Sequence, residues 1–218
     1  MIFKKLTTIL VFSFPCILTL GQDLREKKVS VFFGQVFSGL YYTDSGGNAD
    51  QSLSDNIKST YGVSYQTFVM GGFYLRPELS YKNLGAQSIV NNIILDWDFH
   101  YLDLSIGAGF GRTSRFIHSD YLIKPYVGGS LYTAYTYKAT QQVGSQNLNL
   151  QEDNAFNRLD FGVQANGGIF FDFSKDMGLL VEYRFNHGLR NLENNISTDK
   201  QTMFNRASAI VFGLSIKL

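Results

Sequence analysis

The chain has 218 residues, a formal net charge of +1, one Cys, three Pro and 21 Gly, with 15% aromatic and 17% charged side chains. Its charged content lies below the ~25% of ordinary soluble domains, yet it is too apolar and aromatic to be disordered, and its near-neutral balance gives no electrostatic basis for a nucleic-acid partner. A single Cys excludes a disulfide scaffold and a Cys-based zinc site.

Residues Met1 to Gly21 have the form of a secretory signal. Lys4 and Lys5 make the positive start, Leu6 to Leu20 is uncharged and apolar, and Thr19 and Gly21 put small residues three and one positions before a cut ahead of Gln22. At about 15 residues the apolar stretch is shorter than the ~20 a spanning helix needs, so it reads as a cleaved signal and not as an anchor. Pro15 occupies the place where a lipidation box before Cys16 wants a small residue. Removal of residues 1–21 leaves 22–218 as one exported, cysteine-free domain of 197 residues with 17 basic and 18 acidic side chains. Its stability must come from backbone pairing and burial.

After residue 22 no apolar stretch reaches 18 residues, so no helix is available to span a membrane. Period-two alternation recurs instead, in eight runs over approximately 28–42, 59–70, 73–83, 92–108, 122–138, 157–173, 177–189 and 204–218. Between them the sequence predicts loops at 43–58, 84–91, 109–121, 139–156 and 190–203, with tight turns at Gly71-Gly72 and Ser174-Lys175-Asp176. Long connections on one side and short ones on the other are the habit of outer-membrane barrels. The sixth run sets Leu159, Phe161, Val163, Ala165, Ile169, Phe171 and Phe173 against Arg158, Asp160, Gln164, Asn166 and Asp172. The seventh sets Leu179, Val181, Tyr183 and Phe185 against Glu182, Arg184 and Asn186, and the eighth ends at Leu218 in the same rhythm. A helical period would mix these sets. In the fourth run the apolar positions change parity between Trp97, Phe99, Tyr101 and Leu102, Leu104, Ile106, which predicts a β-bulge near Tyr101-Leu102.

Alternation alone fits both a soluble barrel with its apolar face inward and a membrane barrel with that face toward lipid. Both signs of charge at matched polar-face positions favour the membrane. So do aromatics near the apolar-face ends: Trp97, Phe99, Tyr101, Tyr135, Tyr137, Phe173, Tyr183 and Phe185 suit a girdle at the lipid boundary. The expected lumen network comprises Arg76, Glu78, Lys82, Asp96, Asp98, His100, Lys124, Arg158, Asp160, Glu182 and Arg184. Eight strands leave an interior that side chains fill, so these charges are expected to pair and no open pore is expected.

Arg76-Pro77-Glu78-Leu79-Ser80-Tyr81-Lys82, with Gly85 beyond it, resembles the RPELxYxxxG segment of the Bacteroidota outer-membrane β-barrel family termed PorT-like or porin-like. Tyr101-Leu102-Asp103-Leu104 is similar to that family's YLEIP segment, with Ser105 in place of the proline. Val181 to Leu189 is similar to its penultimate strand and Gly213 to Leu218 to its closing strand. The resemblance implies an all-β fold: an eight-stranded antiparallel transmembrane β-barrel, an up-and-down meander of the OmpA/OmpX type. It implies no single activity.

Catalytic readings are weak. Ile117-His118-Ser119-Asp120 strings triad residue types in a row, but a triad is assembled from separate segments. His100 with Asp96 and Asp98 is the better acid–base group, and the same two acids are the best cation ligands; both read more simply as members of the charge network. His187, at the end of the seventh run, reads as an interfacial residue. No HExxH, EF-hand or phosphate-loop pattern is present. The expectation is a barrel without catalytic, metal or cofactor residues, located in the outer membrane, with membrane lipid as its partner. Its expected role is structural or the presentation of loops. The alternatives are an accessory subunit with a protein partner in a larger secretion or assembly complex, and a lipid-modifying barrel enzyme.

Overall fold

Strands answer the period-two alternation in every run. The computed structural model describes residues 26–44, 46–48, 53–70, 72–90, 92–111, 114–115, 122–151, 156–193 and 202–218. The predicted signal and the Ile117 to Asp120 string lie outside them. In chain order the strands are β1 (Lys27–Thr43), β2 (Ser54–Met70), β3 (Phe73–Val90), β4 (Ile93–Gly111), β5 (Ser114–Arg115), β6 (Leu122–Val143), β7 (Gln146–Asn149), β8 (Leu159–Asp172), β9 (Met177–Gly188) and β10 (Thr202–Lys217).

Eight of these form a closed antiparallel barrel. The ring runs β4-β3-β2-β1-β10-β9-β8-β6, and pairing of β4 with β6 closes it. The two short strands, β5 and β7, fold back on the ends of β6. Followed once round through its paired residues, the register leaves Phe37 by Ser208, Phe185, Ala165, Gly129, Ala108, Leu75 and Thr67, and returns to β1 at Lys27, ten residues lower. A stagger of this size with eight strands corresponds to a tilt within the usual ~35–45°.

We call the end holding Lys27 and Lys217 the base and the opposite end the rim. Rim-side strands run further than the sequence predicts. The expected loop at 84–91 is strand, with β3 and β4 paired to Val90↔Ile93 and joined by a tight turn at Asn92, whose φ of 62° an asparagine tolerates. The expected 43–58 loop shrinks because β2 begins at Ser54, and much of 139–156 is the β6–β7 hairpin. Most residues in these stretches are polar or small, which reads as loop, but backbone pairing does not require apolar side chains.

The predicted irregularity near Tyr101 is present, although the extra residue belongs to the neighbouring strand. His100 pairs with Lys138 and Tyr101 with Thr136, so Tyr137 is the insertion, while β3 and β4 keep one uninterrupted register. The parity change in β4 is therefore a change in which face is apolar. Phe99 and Tyr101 are each 1% exposed and point into the barrel, not toward the boundary, and Trp97 packs against the same cluster. Tyr135, Tyr137, Phe173, Tyr183 and Phe185 do lie on the outer wall.

Interior crowding explains two of the strand glycines. A Cβ at Gly128 would approach the Tyr74 hydroxyl to 2.2 Å, and one at Gly162 would approach the Tyr132 hydroxyl to 2.5 Å. Each glycine opens the wall by one side chain so that a lumen tyrosine lies flat against it.

Candidate functional site: a charged lumen under an apolar cap

The inward residues of each strand stack into layers. At the base Lys28, Lys124 and Lys217 converge on Asp172 at 3.1, 3.1 and 2.9 Å. Glu26 accepts from Lys124 at 2.6 Å and lies 3.3 Å from Lys28. Burial pushes the Glu26 carboxyl up, but the two lysines outweigh it and hold the group below its ordinary value of 4.5. A carboxylate held in this way stabilises the fold above its unfolded pKa, and the contribution is lost as pH falls through its lower folded value. Glu26→Gln should therefore lower the denaturant midpoint at pH 7, and the gap from the parent should close as the pH drops below 4.5. Unfolding curves of both proteins across that range check it; a gap that persists in acid would assign the loss to packing.

The second layer is balanced. Arg184 donates to both oxygens of Glu78, at 2.6 and 3.0 Å, and its Nε donates to Glu182. Arg76 donates to Glu182 at 2.6 Å; Tyr126 and Asn166 donate to the same oxygen at 2.5 and 3.1 Å. The guanidinium of Arg184 lies 4.3 Å from the Phe32 ring centroid, which covers one face of the ion with carbon. None of the four charged groups exceeds 3% exposure. Taking such ions out of water is tolerable only with this degree of pairing.

Above it, Lys82 donates to Asp103 at 3.1 Å and to Gln164 at 3.4 Å. Asn205 donates to Asp160 at 2.8 Å and to the Tyr101 hydroxyl at 3.0 Å. A void of only about 10 Å³ remains among these groups, room for roughly one water. Then the interior turns apolar. Val36, Leu40, Leu84, Ala86, Phe99, Ala139, Leu150, Leu192 and Met203 form a buried cluster that caps the column of charges.

Of the eleven residues expected in the lumen, Arg76, Glu78, Lys82, Lys124, Asp160, Glu182 and Arg184 are buried there. Asp96, Asp98 and His100 are not. They belong to an outer-wall cluster in which Lys58 donates to Asp98 at 2.9 Å, His100 Nε2 lies 2.8 Å from Asp98, and the Tyr81 hydroxyl lies 2.6 Å from His100 Nδ1. Asn56 joins it through Asp96 at 3.0 Å. The cause is the inversion in β4: with Phe99 and Tyr101 inside, the intervening polar residues must face out. Arg158 is exposed as well, because it precedes the first residue of β8 at the wet rim. His187 is partly exposed on the wall. Among the described residues no three His, Cys, Asp or Glu side chains are grouped to hold a metal ion.

Sequence reasoning missed Glu26, Lys28, Asp103 and Lys217 as network members. Asp103 was legible, since it alternates with Leu102 and Leu104; the others lie at strand ends, where the rhythm is too short to read.

No protein-family model and no curated protein matches the sequence. Solved structures do. The outer membrane protein OprG from Pseudomonas aeruginosa is similar at 10% identity over 91% of this chain and 98% of its own, with a TM-score of 0.55. Neisserial surface protein A is similar at 14% identity over 88% of this chain and 97% of its own, with a TM-score of 0.48. At such identity the OprG likeness speaks for architecture alone, and the architecture is that of the eight-stranded β-barrels of outer membranes.

Proposed function

We propose that the chain is an integral outer-membrane barrel, sealed to solutes and without catalytic activity, that serves the envelope structurally and presents its rim. One observation carries this reading: the buried charges lie in the half of the barrel whose wall is an apolar belt. In that half the lumen is charged and the wall apolar, with Ile210, Phe212, Leu214 and Ile216 on β10 and Leu102, Leu104 and Ile106 on β4 all 40% exposed or more. Above it the interior is an apolar core, and charged residues enter the wall at Lys58, Asp96, Asp98, His100 and Lys138, among exposed Ile57, Ile89 and Ile94. A soluble protein rarely exposes a contiguous apolar patch beyond ~300–600 Å²; a belt encircling the barrel suits hydrocarbon, where only helices and closed barrels satisfy their backbone.

Strands of up to 22 residues exceed the ~9–11 that cross a bilayer, so the rim half stands clear of the membrane. In this reading residues 1–21 direct export and are cleaved, 22–218 form the barrel, and the resemblance of the motifs from Arg76 to Lys82 and from Val181 to Leu189 supports kinship with the PorT-like barrels. Membrane lipid is its obligatory partner.

Purified protein should migrate faster unboiled than boiled on a gel, and it should give no steady conductance in a planar bilayer. Among the described residues, paired charges and the apolar cap occupy the lumen, as expected for an eight-stranded interior filled by side chains. Recovery in the soluble periplasmic fraction would overturn membrane residence, and reproducible channels of general-porin size would overturn the sealed lumen.

A further inference from the structure

The outer wall carries a groove of about 310 Å³ lined by Phe37, Asp55, Tyr183, Phe185, Arg206 and Ser208. It lies where the apolar ladder of β10 gives way, since the outward residues after Ile210 toward the rim are Ser208 and Arg206. The Arg206 guanidinium stands 5.7 Å from the Phe185 ring centroid. No carboxylate among the described residues pairs with it. Asp55 is likewise without an ion-pair partner among the described residues, and its carboxylate overlies bare backbone at Gly39, where a Cβ would meet Oδ1 at 2.2 Å. One groove thus presents one unmatched cation and one unmatched anion, with aromatic rings on the side toward the apolar belt.

We infer that this groove binds a zwitterionic phosphoethanolamine headgroup, as carried by phosphatidylethanolamine: phosphate on Arg206, ammonium on Asp55, and the acyl ends along Phe37, Tyr183 and Phe185. The inference rests on the membrane reading above. Charge complementarity selects the class. An anionic lipid satisfies Arg206 but sets no cation against Asp55, and an uncharged lipid leaves both ions unmatched. Guanidinium and phosphate also match in shape, since two parallel N–H groups meet two oxygens. The position favours lipid over a protein segment, because Tyr183 and Phe185 continue directly into the exposed apolar residues Val181, Ile210 and Phe212 of the belt.

The experiment is native mass spectrometry of the full barrel in mild detergent, titrated with equal amounts of phosphatidylethanolamine, phosphatidylcholine and phosphatidylglycerol. Faster migration of unboiled protein, measured first, establishes that each variant is folded. The parent should retain one phosphatidylethanolamine at about tenfold preference, the ratio that ~1.4 kcal/mol produces. Arg206→Gln should weaken retention of all three lipids. Asp55→Asn should remove the preference while leaving phosphatidylglycerol unaffected, and Asp55→Lys should shift the preference to phosphatidylglycerol. Equal retention of the three lipids by folded parent protein, or a preference indifferent to Asp55 and Arg206, overturns the headgroup site. Failure of the parent to fold in detergent or bilayers overturns the membrane reading itself.

Discussion

Replacing Arg184 by Met is expected to destabilise the barrel by about 3–5 kcal/mol, the range for breaking a buried ion pair from one side. Arg184 is 1% exposed and binds both Glu78 and Glu182. Without it Glu78 loses the two hydrogen bonds that Arg184 donates, and Glu182 retains Arg76, Tyr126 and Asn166. The loss should come mainly from the stranded Glu78 carboxylate, so Arg184→Met combined with Glu78→Met should recover most of it. Denaturant unfolding from lipid vesicles measures both variants. If the double variant were as unstable as the single one, the layer would owe its stability to packing around Phe32 and not to paired charge.

The second large effect is on the wall. Val181→Arg places a cation on the apolar belt, where the depth-dependent cost reaches about 2–4 kcal/mol near the bilayer midplane. Gln142→Arg, also exposed but on β6 beyond Lys138 toward the rim, should cost close to nothing. The contrast between the two, read from unfolding in the same vesicles, locates the level at which lipid ends. Equal tolerance at both sites would mean that the belt is not immersed.

Fold class and strand number were legible because alternation is a property of each strand alone. The lumen residues of β3, β8 and β9 were legible for the same reason: Glu182 and Arg184 alternate with Val181, Tyr183 and Phe185 through an unbroken rhythm. What sequence reading did not separate was the meaning of apolar alternation near the rim. Trp97, Phe99 and Tyr101 show the same period as Leu102, Leu104 and Ile106, but they serve the interior core and not the outer wall. Which side of a strand is wet changes along its length, and a single strand does not record where. The rest of the base cluster was hidden for another reason, since Glu26, Lys28 and Lys217 come together only when the first and last strands meet.

That meeting has a kinetic side. Sixteen residue pairs, from Lys28↔Lys217 to Thr43↔Thr202, join β1 to β10, and no turn holds these two strands near one another. Every other seam of the ring joins strands adjacent or nearly so in the chain. The first strand must therefore keep one edge open, with its backbone groups shielded, until the last strand is available to pair with it. Contacts between such distant segments form late and slowly, and an unpaired edge is a site of mispairing in the interval. Assembly of this barrel has its vulnerable moment at one seam, just before the circle closes.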